Sequence, residues 1–143
     1  PAAEFVPFTR EIIPLCEAFL SDWYAAFGEL TDGLLAEKAA IATAFQHWET
    51  LGMTGGAIVE AGKVLGFTYG AAVAPNMFAV HIEKAARSVT GAYPALSQCL
   101  AKTLPDSVTV LNREEDLGIP GLRKAKSEWA PCARNEKGWM TIQ

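Results

Sequence analysis

The sequence predicts an α/β (α+β) domain, a mixed and mainly antiparallel sheet with helices on both faces. Three observations carry that expectation. Apolar residues recur every three to four positions from Ile12 to Leu51. From Met53 to Lys84 they alternate instead. Beyond Thr90, helical and extended segments take turns.

The first helix follows Thr9 as candidate cap. Ile12, Leu15 or Cys16, Phe19, Trp23 and Phe27 form its stripe, its regular part starts near Pro14, and Gly28 ends it. A second helix starts at Thr31 or Asp32, carries Leu34, Ile41, Phe45, Trp48 and Leu51 on one face, and stops at Gly52. Next comes a three-strand meander: Ala57–Glu60, a turn at Ala61-Gly62-Lys63, Val64–Val73, a turn at Pro75-Asn76, and Met77–Lys84. Strict alternation in the third strand places Phe78, Val80 and Ile82 on one face and Met77, Ala79, His81 and Glu83 on the other, with Lys84 opposite Glu83. Ala92–Leu104 reads as a helix with Tyr93, Leu96, Leu100 and Leu104 inward, and Val108–Leu111 as a short buried strand. Gly118–Trp129 reads as a last helix entered through Pro120, and Gly138–Ile142 as a closing strand.

The 143 residues fit one domain, half of them hydrophobic and a fifth charged, an ordinary globular balance. A net charge of −4 gives no overall positive field for nucleic acid or an anionic membrane. Cys16, Cys99 and Cys132 lie far apart and form no Cys-x-x-Cys pair, which favours buried thiols in a reducing compartment and a cytoplasmic protein. The start of the chain lacks the basic and apolar regions of a secretory signal. It also lacks an initiator methionine, so a piece of a longer protein is expected. The uncharged run Val64–Ile82 is nearly long enough for a membrane span, but Pro75-Asn76 breaks it into a hairpin.

Charge concentrates in Asn112-Arg113-Glu114-Glu115-Asp116-Leu117-Gly118, just past a strand end, where ligands of open α/β sheets gather. The same residues also make a solvated turn in which Glu115 or Asp116 caps the next helix. Arg123 and Lys126, three apart on that helix, can hold a phosphate or carboxylate together. His81 beside Glu83 supplies an imidazole and a carboxylate suited to general-base work. His47 has no ligand-spaced partner, and no metal site is expected. No phosphate-binding P-loop, Gly-x-Gly-x-x-Gly or Gly-x-Ser-x-Gly elbow occurs. Arg87-Ser88-Val89-Thr90-Gly91-Ala92 does lead from a strand into a helix N-terminus, whose open N–H groups suit an anion.

With that loop, the order of elements resembles the GNAT acyltransferase fold, whose fourth strand and following helix hold the donor's pyrophosphate. The usual motif there is Arg or Gln, two residues, Gly, one residue, then Gly or Ala. Here the loop from Arg87 to Ala92 has one more residue before its glycine. Glu83-Lys84-Ala85, Gly91-Ala92-Tyr93, the run Asn112–Gly118, and Leu122–Lys126 through Trp129–Pro131 together resemble the phosphatidylglycerol lysyltransferase-like C-terminal domain family. Glu37-Lys38, Ala40-Ile41, Gly55-Gly56 and Gly62-Lys63 fit as well.

The resemblance implies a single GNAT-like domain over residues 1–143, the C-terminal half of a tandem protein with a preceding GNAT-like domain. It implies acyl or aminoacyl transfer to an amine or hydroxyl acceptor, with acyl-CoA or aminoacyl-tRNA as donor, small-molecule partners and tRNA as a partner. Under that reading His81 or Glu83 is the base and Tyr93 the proton donor to the leaving group. Asn112 orients substrate, Glu115 and Asp116 bind the acceptor amine, Arg123 and Lys126 hold phosphate or carboxylate, and Arg87 and Gly91 meet the donor. The alternative is a catalytically degenerate module of the same fold that binds a ligand or completes a sheet.

Overall fold

A computed structural model describes residues 2–142. The chain forms two compact units, one running through Asn112 and the other starting at Arg113.

In the first unit the order is β1 (Glu4–Pro7), α1 (Ile13–Ala25), α2 (Asp32–Gln46), α3 (Trp48–Leu51), β2 (Thr54–Glu60), β3 (Lys63–Ala74), β4 (Met77–Ala85), α4 (Ala92–Thr103) and β5 (Val110–Asn112). The five strands lie in sequence order in one sheet, antiparallel except for the β4–β5 pair. One face packs against α1 and α2 through Cys16, Leu20, Tyr24, Ile41 and Phe45 over Phe67 and Tyr69. On the other face α4 sets Leu96 against Ile58 and Ala85, and Leu100 against Phe78 and Val80. Helices therefore cover both faces, as the apolar patterning predicts.

Several boundaries differ from the sequence reading. The strand β1 was not anticipated, because four residues ending in Pro7 give too short an alternation to register. The expected second helix breaks at His47, where φ −113° and ψ 22° leave the helical range, so Trp48–Leu51 is a separate turn. Tyr93 is 38% exposed where an inward position was expected. Among the thiols Cys16 is buried, which pushes it up to about 12, whereas Cys132 is exposed.

The largest difference is in β4. Along β3, Tyr69 faces Ile82 but Gly70 faces Val80, so the register skips His81 and β4 bulges there. Alternation inverts across the bulge. Phe78 and Val80 meet α4, while Ile82 joins the α1–α2 core, and the single face expected for all three does not exist.

The second unit holds one helix, α5 (Pro120–Ser127). No strand forms at Gly138–Ile142, where a closing strand was expected. No helix among the described residues is long and apolar enough to cross a membrane.

Candidate active site

In the first unit the parallel pair β4–β5 is bonded only at Met77–Val110, Phe78–Leu111 and Ala79–Asn112. Two residues beyond Ala79 comes the bulge at His81, and from there to Ala85 β4 pairs only with β3. The parallel pair ends with β5 itself at Asn112, and the carboxyl ends of strands are where ligands of open α/β sheets gather. Gly70 makes the bulge sterically possible, since a Cβ there would strike the Ala79 carbonyl oxygen and sit 2.7 Å from Phe78 Cε1. Asn112 is the last residue of β5.

Glu83 follows the bulge on the α4 side. Its Oε1 accepts a 2.6 Å hydrogen bond from Ser97 Oγ of α4, a partner the sequence reading did not single out. Across the ladder it faces Thr68, which is fully buried. Lys84 points to the opposite face, as expected. Its ammonium meets Glu37 at 2.5 Å and lies 4.0 Å above the Trp23 ring, and Trp23 Nε1 donates to the Ala85 carbonyl at 3.0 Å. Tyr24 Oη donates to the same Glu37 oxygen. Burial first, and the Glu37 carboxylate second, raise the Tyr24 and Tyr69 phenols well above their usual range. A lysine beside Ile82 in a core-facing stripe was the only sequence signal for this cluster.

Beyond β4, Arg87 stacks its guanidinium 4.3 Å over Phe27, at 5.5 Å from Trp23. Gly91 opens α4 in the left-handed region at φ 80°, and no side chain caps that terminus. Tyr93 is the second residue of the helix. Val89, Thr90, Gly91 and Ala92 border a cleft of about 250 Å³ shared with Phe5, Ile58, Leu65 and Cys99.

The second unit gathers its own predicted residues around one turn. Glu114, Leu117 and Gly118 all have positive φ, folding the chain back on itself. Asp116 accepts from the Gly118 amide at 2.8 Å and from Arg123 Nε and Nη2 at 2.8 and 3.3 Å. The Arg123 guanidinium first, and then the Gly118 amide, hold the Asp116 carboxyl down at about 2. Lys126 Nζ donates to the Arg113 and Glu115 carbonyl oxygens, each at 2.5 Å. Glu115 pairs with Lys137 at 2.7 Å, a partner that spacing did not suggest. Arg123 and Lys126 share a helix, yet each reaches a different part of the turn. No metal-holding group of His, Cys, Asp or Glu occurs among the described residues.

A five-strand, mostly antiparallel sheet with helices on both faces and a bulge in its fourth strand is the GNAT acyltransferase fold. It is shared with a ribosomal-protein-alanine N-acetyltransferase from Brucella melitensis biovar Abortus 2308 (TM-score 0.69, 14% identity, 99% of this chain and all of that one). It is shared also with AAC(6')-Iy, solved in complex with the bisubstrate analogue CoA-S-monomethyl-acetylneamine (TM-score 0.63, 8% identity, 100% of this chain and 99% of that one). More narrowly, the chain belongs to the family described as phosphatidylglycerol lysyltransferase, C-terminal, whose sequence model matches residues 2–140. A conserved protein of unknown function from Bacteroides thetaiotaomicron VPI-5482 is similar at 36% identity and TM-score 0.88, over 93% of this chain and 45% of that protein, so the chain spans less than half its length. No curated protein matches the sequence.

Proposed function

We propose that the first unit transfers an acyl or aminoacyl group from a thioester or ester donor to an amine or hydroxyl acceptor. The end of the parallel β4–β5 pairing at Asn112, next to the His81 bulge, carries this reading, because ligands of open α/β sheets favour the carboxyl ends of strands, and an uncapped helix N-terminus follows close in sequence. In the step proposed, the acceptor attacks the donor carbonyl and the carbonyl bond to sulfur or oxygen breaks. The acceptor's proton passes to His81 or Glu83, and the leaving group takes a proton from Tyr93. Asn112 at the end of β5 orients substrate, and Arg87 and Gly91 meet the donor phosphates, with acyl-CoA or aminoacyl-tRNA as donor. Glu115, Asp116, Arg123 and Lys126 are assigned to shaping the second unit, since each already bonds within it.

A second reading, a ligand-binding module without catalysis, draws on two observations. Glu83 is tied to Ser97, and Arg87 lies over Phe27. A thermal-shift series with CoA, acetyl-CoA and a non-hydrolysable aminoacyl-tRNA tests both readings. A ligand at about one hundred times its Kd stabilises the native state by about 2.7 kcal/mol. The transferase reading expects a raised midpoint with one donor, lost in Arg87→Ala and kept in Glu83→Gln, which instead loses transfer. No shift with any donor sinks it, and a shift with undiminished transfer in Glu83→Gln and in His81→Ala removes the assigned base.

A further inference from the structure

Arg87 is exposed, yet two rings fix its place. Its guanidinium carbon lies 4.3 Å from the centre of the Phe27 ring and 5.5 Å from that of Trp23. The rings themselves pack together, with centroids 4.7 Å apart and planes tilted by 38°. Phe27 lies just past the end of α1, where its amide donates to the Tyr24 carbonyl at 3.0 Å and Gly28, at φ 75°, turns the chain away.

This platform is anchored to the strand that leads into Arg87. Trp23 Nε1 donates to the carbonyl of Ala85, the last residue of β4, at 3.0 Å, and the next amide, Ala86, donates to the Leu65 carbonyl at 2.8 Å. Rings and backbone are thus referenced to one sheet. A carboxylate holds an arginine by its N–H edge, as Asp116 holds Arg123 in the second unit. A ring beneath the guanidinium engages its face instead and uses none of the five N–H donors of the fork.

We propose that Phe27, braced by Trp23, is a positioning residue that orders Arg87 in advance for a phosphate of the donor. Gripping an anion costs a long side chain much of its rotamer freedom, and a ring that orders the chain beforehand removes part of that cost. The fork stays available for a bidentate contact with phosphate oxygens. This inference rests on the reading that Arg87 meets the donor phosphates, and it extends the donor site to α1, outside the loop from Arg87 to Ala92.

Titration calorimetry with CoA and with a non-hydrolysable aminoacyl-tRNA, alongside NMR of the Arg87 Nε–H in the unliganded protein, tests the seat. In the wild type that proton should be shifted upfield by the ring beneath it, and Arg87→Lys, which deletes the signal, assigns it. Phe27→Leu should return the resonance to the position of a solvated arginine. It should also weaken whichever donor binds by about two- to fivefold, the worth of one exposed cation–π contact. Phe27→Tyr should restore both. Phe27 is 36% exposed, so neither change should disturb the amide spectrum of the sheet. Equal donor affinity in the wild type and Phe27→Leu overturns the inference, as does tighter binding in Phe27→Leu, which would mean that the ring withholds Arg87 from the ligand. A wild-type Nε–H at the solvated position overturns it while leaving the donor reading standing. Wild-type protein that binds neither donor overturns the donor reading and this inference with it.

Discussion

Asp116 shows how far one side chain's chemistry depends on its backbone. Arg123 and the Gly118 amide both stabilise its ionised form, moving it from the ordinary 3.8 to about 2. Because the folded value lies below the unfolded one, this support is complete above about pH 4 and is lost as pH falls through about 2. NMR titration of the carboxyl should therefore find a midpoint near 2. Asp116→Asn should remove the acid-dependent loosening of residues 113–118 without disturbing the sheet, whereas a midpoint near 4 would mean the Arg123 bonds do not persist in solution. Little of this was legible in the sequence. Arg123 and Lys126 share a helix face and read as one anion clamp, but left-handed Glu114 and Leu117 fold the turn so that each cation meets a separate acceptor. Non-glycine residues with positive φ carry no reliable sequence mark.

At the scale of elements, β4 decides the architecture of the site. A strand-interior glycine often marks a bulge or a close backbone approach, and Gly70 is both. Gly70→Ala should cost about 2 kcal/mol in urea unfolding, through the clash with Ala79 and Phe78. Gly91→Ala, with open space around its Cβ but φ at 80°, should cost only about 1 kcal/mol. Equal, negligible losses at both would mean that the bulge relaxes freely. The main elements were legible because their apolar spacing is long and regular: α1, the start of α2, the meander and α4 all fall where periodicity puts them. The bulge was not, because alternation has no symbol for an inserted residue, and His81 and Glu83 were taken as simple neighbours. The pairing of Ser97 with Glu83 was hidden too, since it depends on how α4 lies on the sheet rather than on any local spacing.

Over the whole molecule, ordering should be uneven. Strand β3 is central, bonded on both sides and packed by helices on both faces, whereas the second unit has one short helix with no buried residue. Hydrogen exchange should then show the slowest amides in β3 and a gap of about 3 kcal/mol or more between them and those of α5. Equal protection in the two would mean that the chain opens as one cooperative body. The ammonium of Lys84 has a consequence of another kind. The transfer chemistry proposed above would expose the first unit's own amines to an activated donor. Lys84 follows the bulge by three positions and would be an obvious casualty. Glu37 and the Trp23 ring hold and cover its nitrogen, on the sheet face opposite Glu83. Under the transfer chemistry proposed above, the buried ion pair would also keep this amine away from the activated donor.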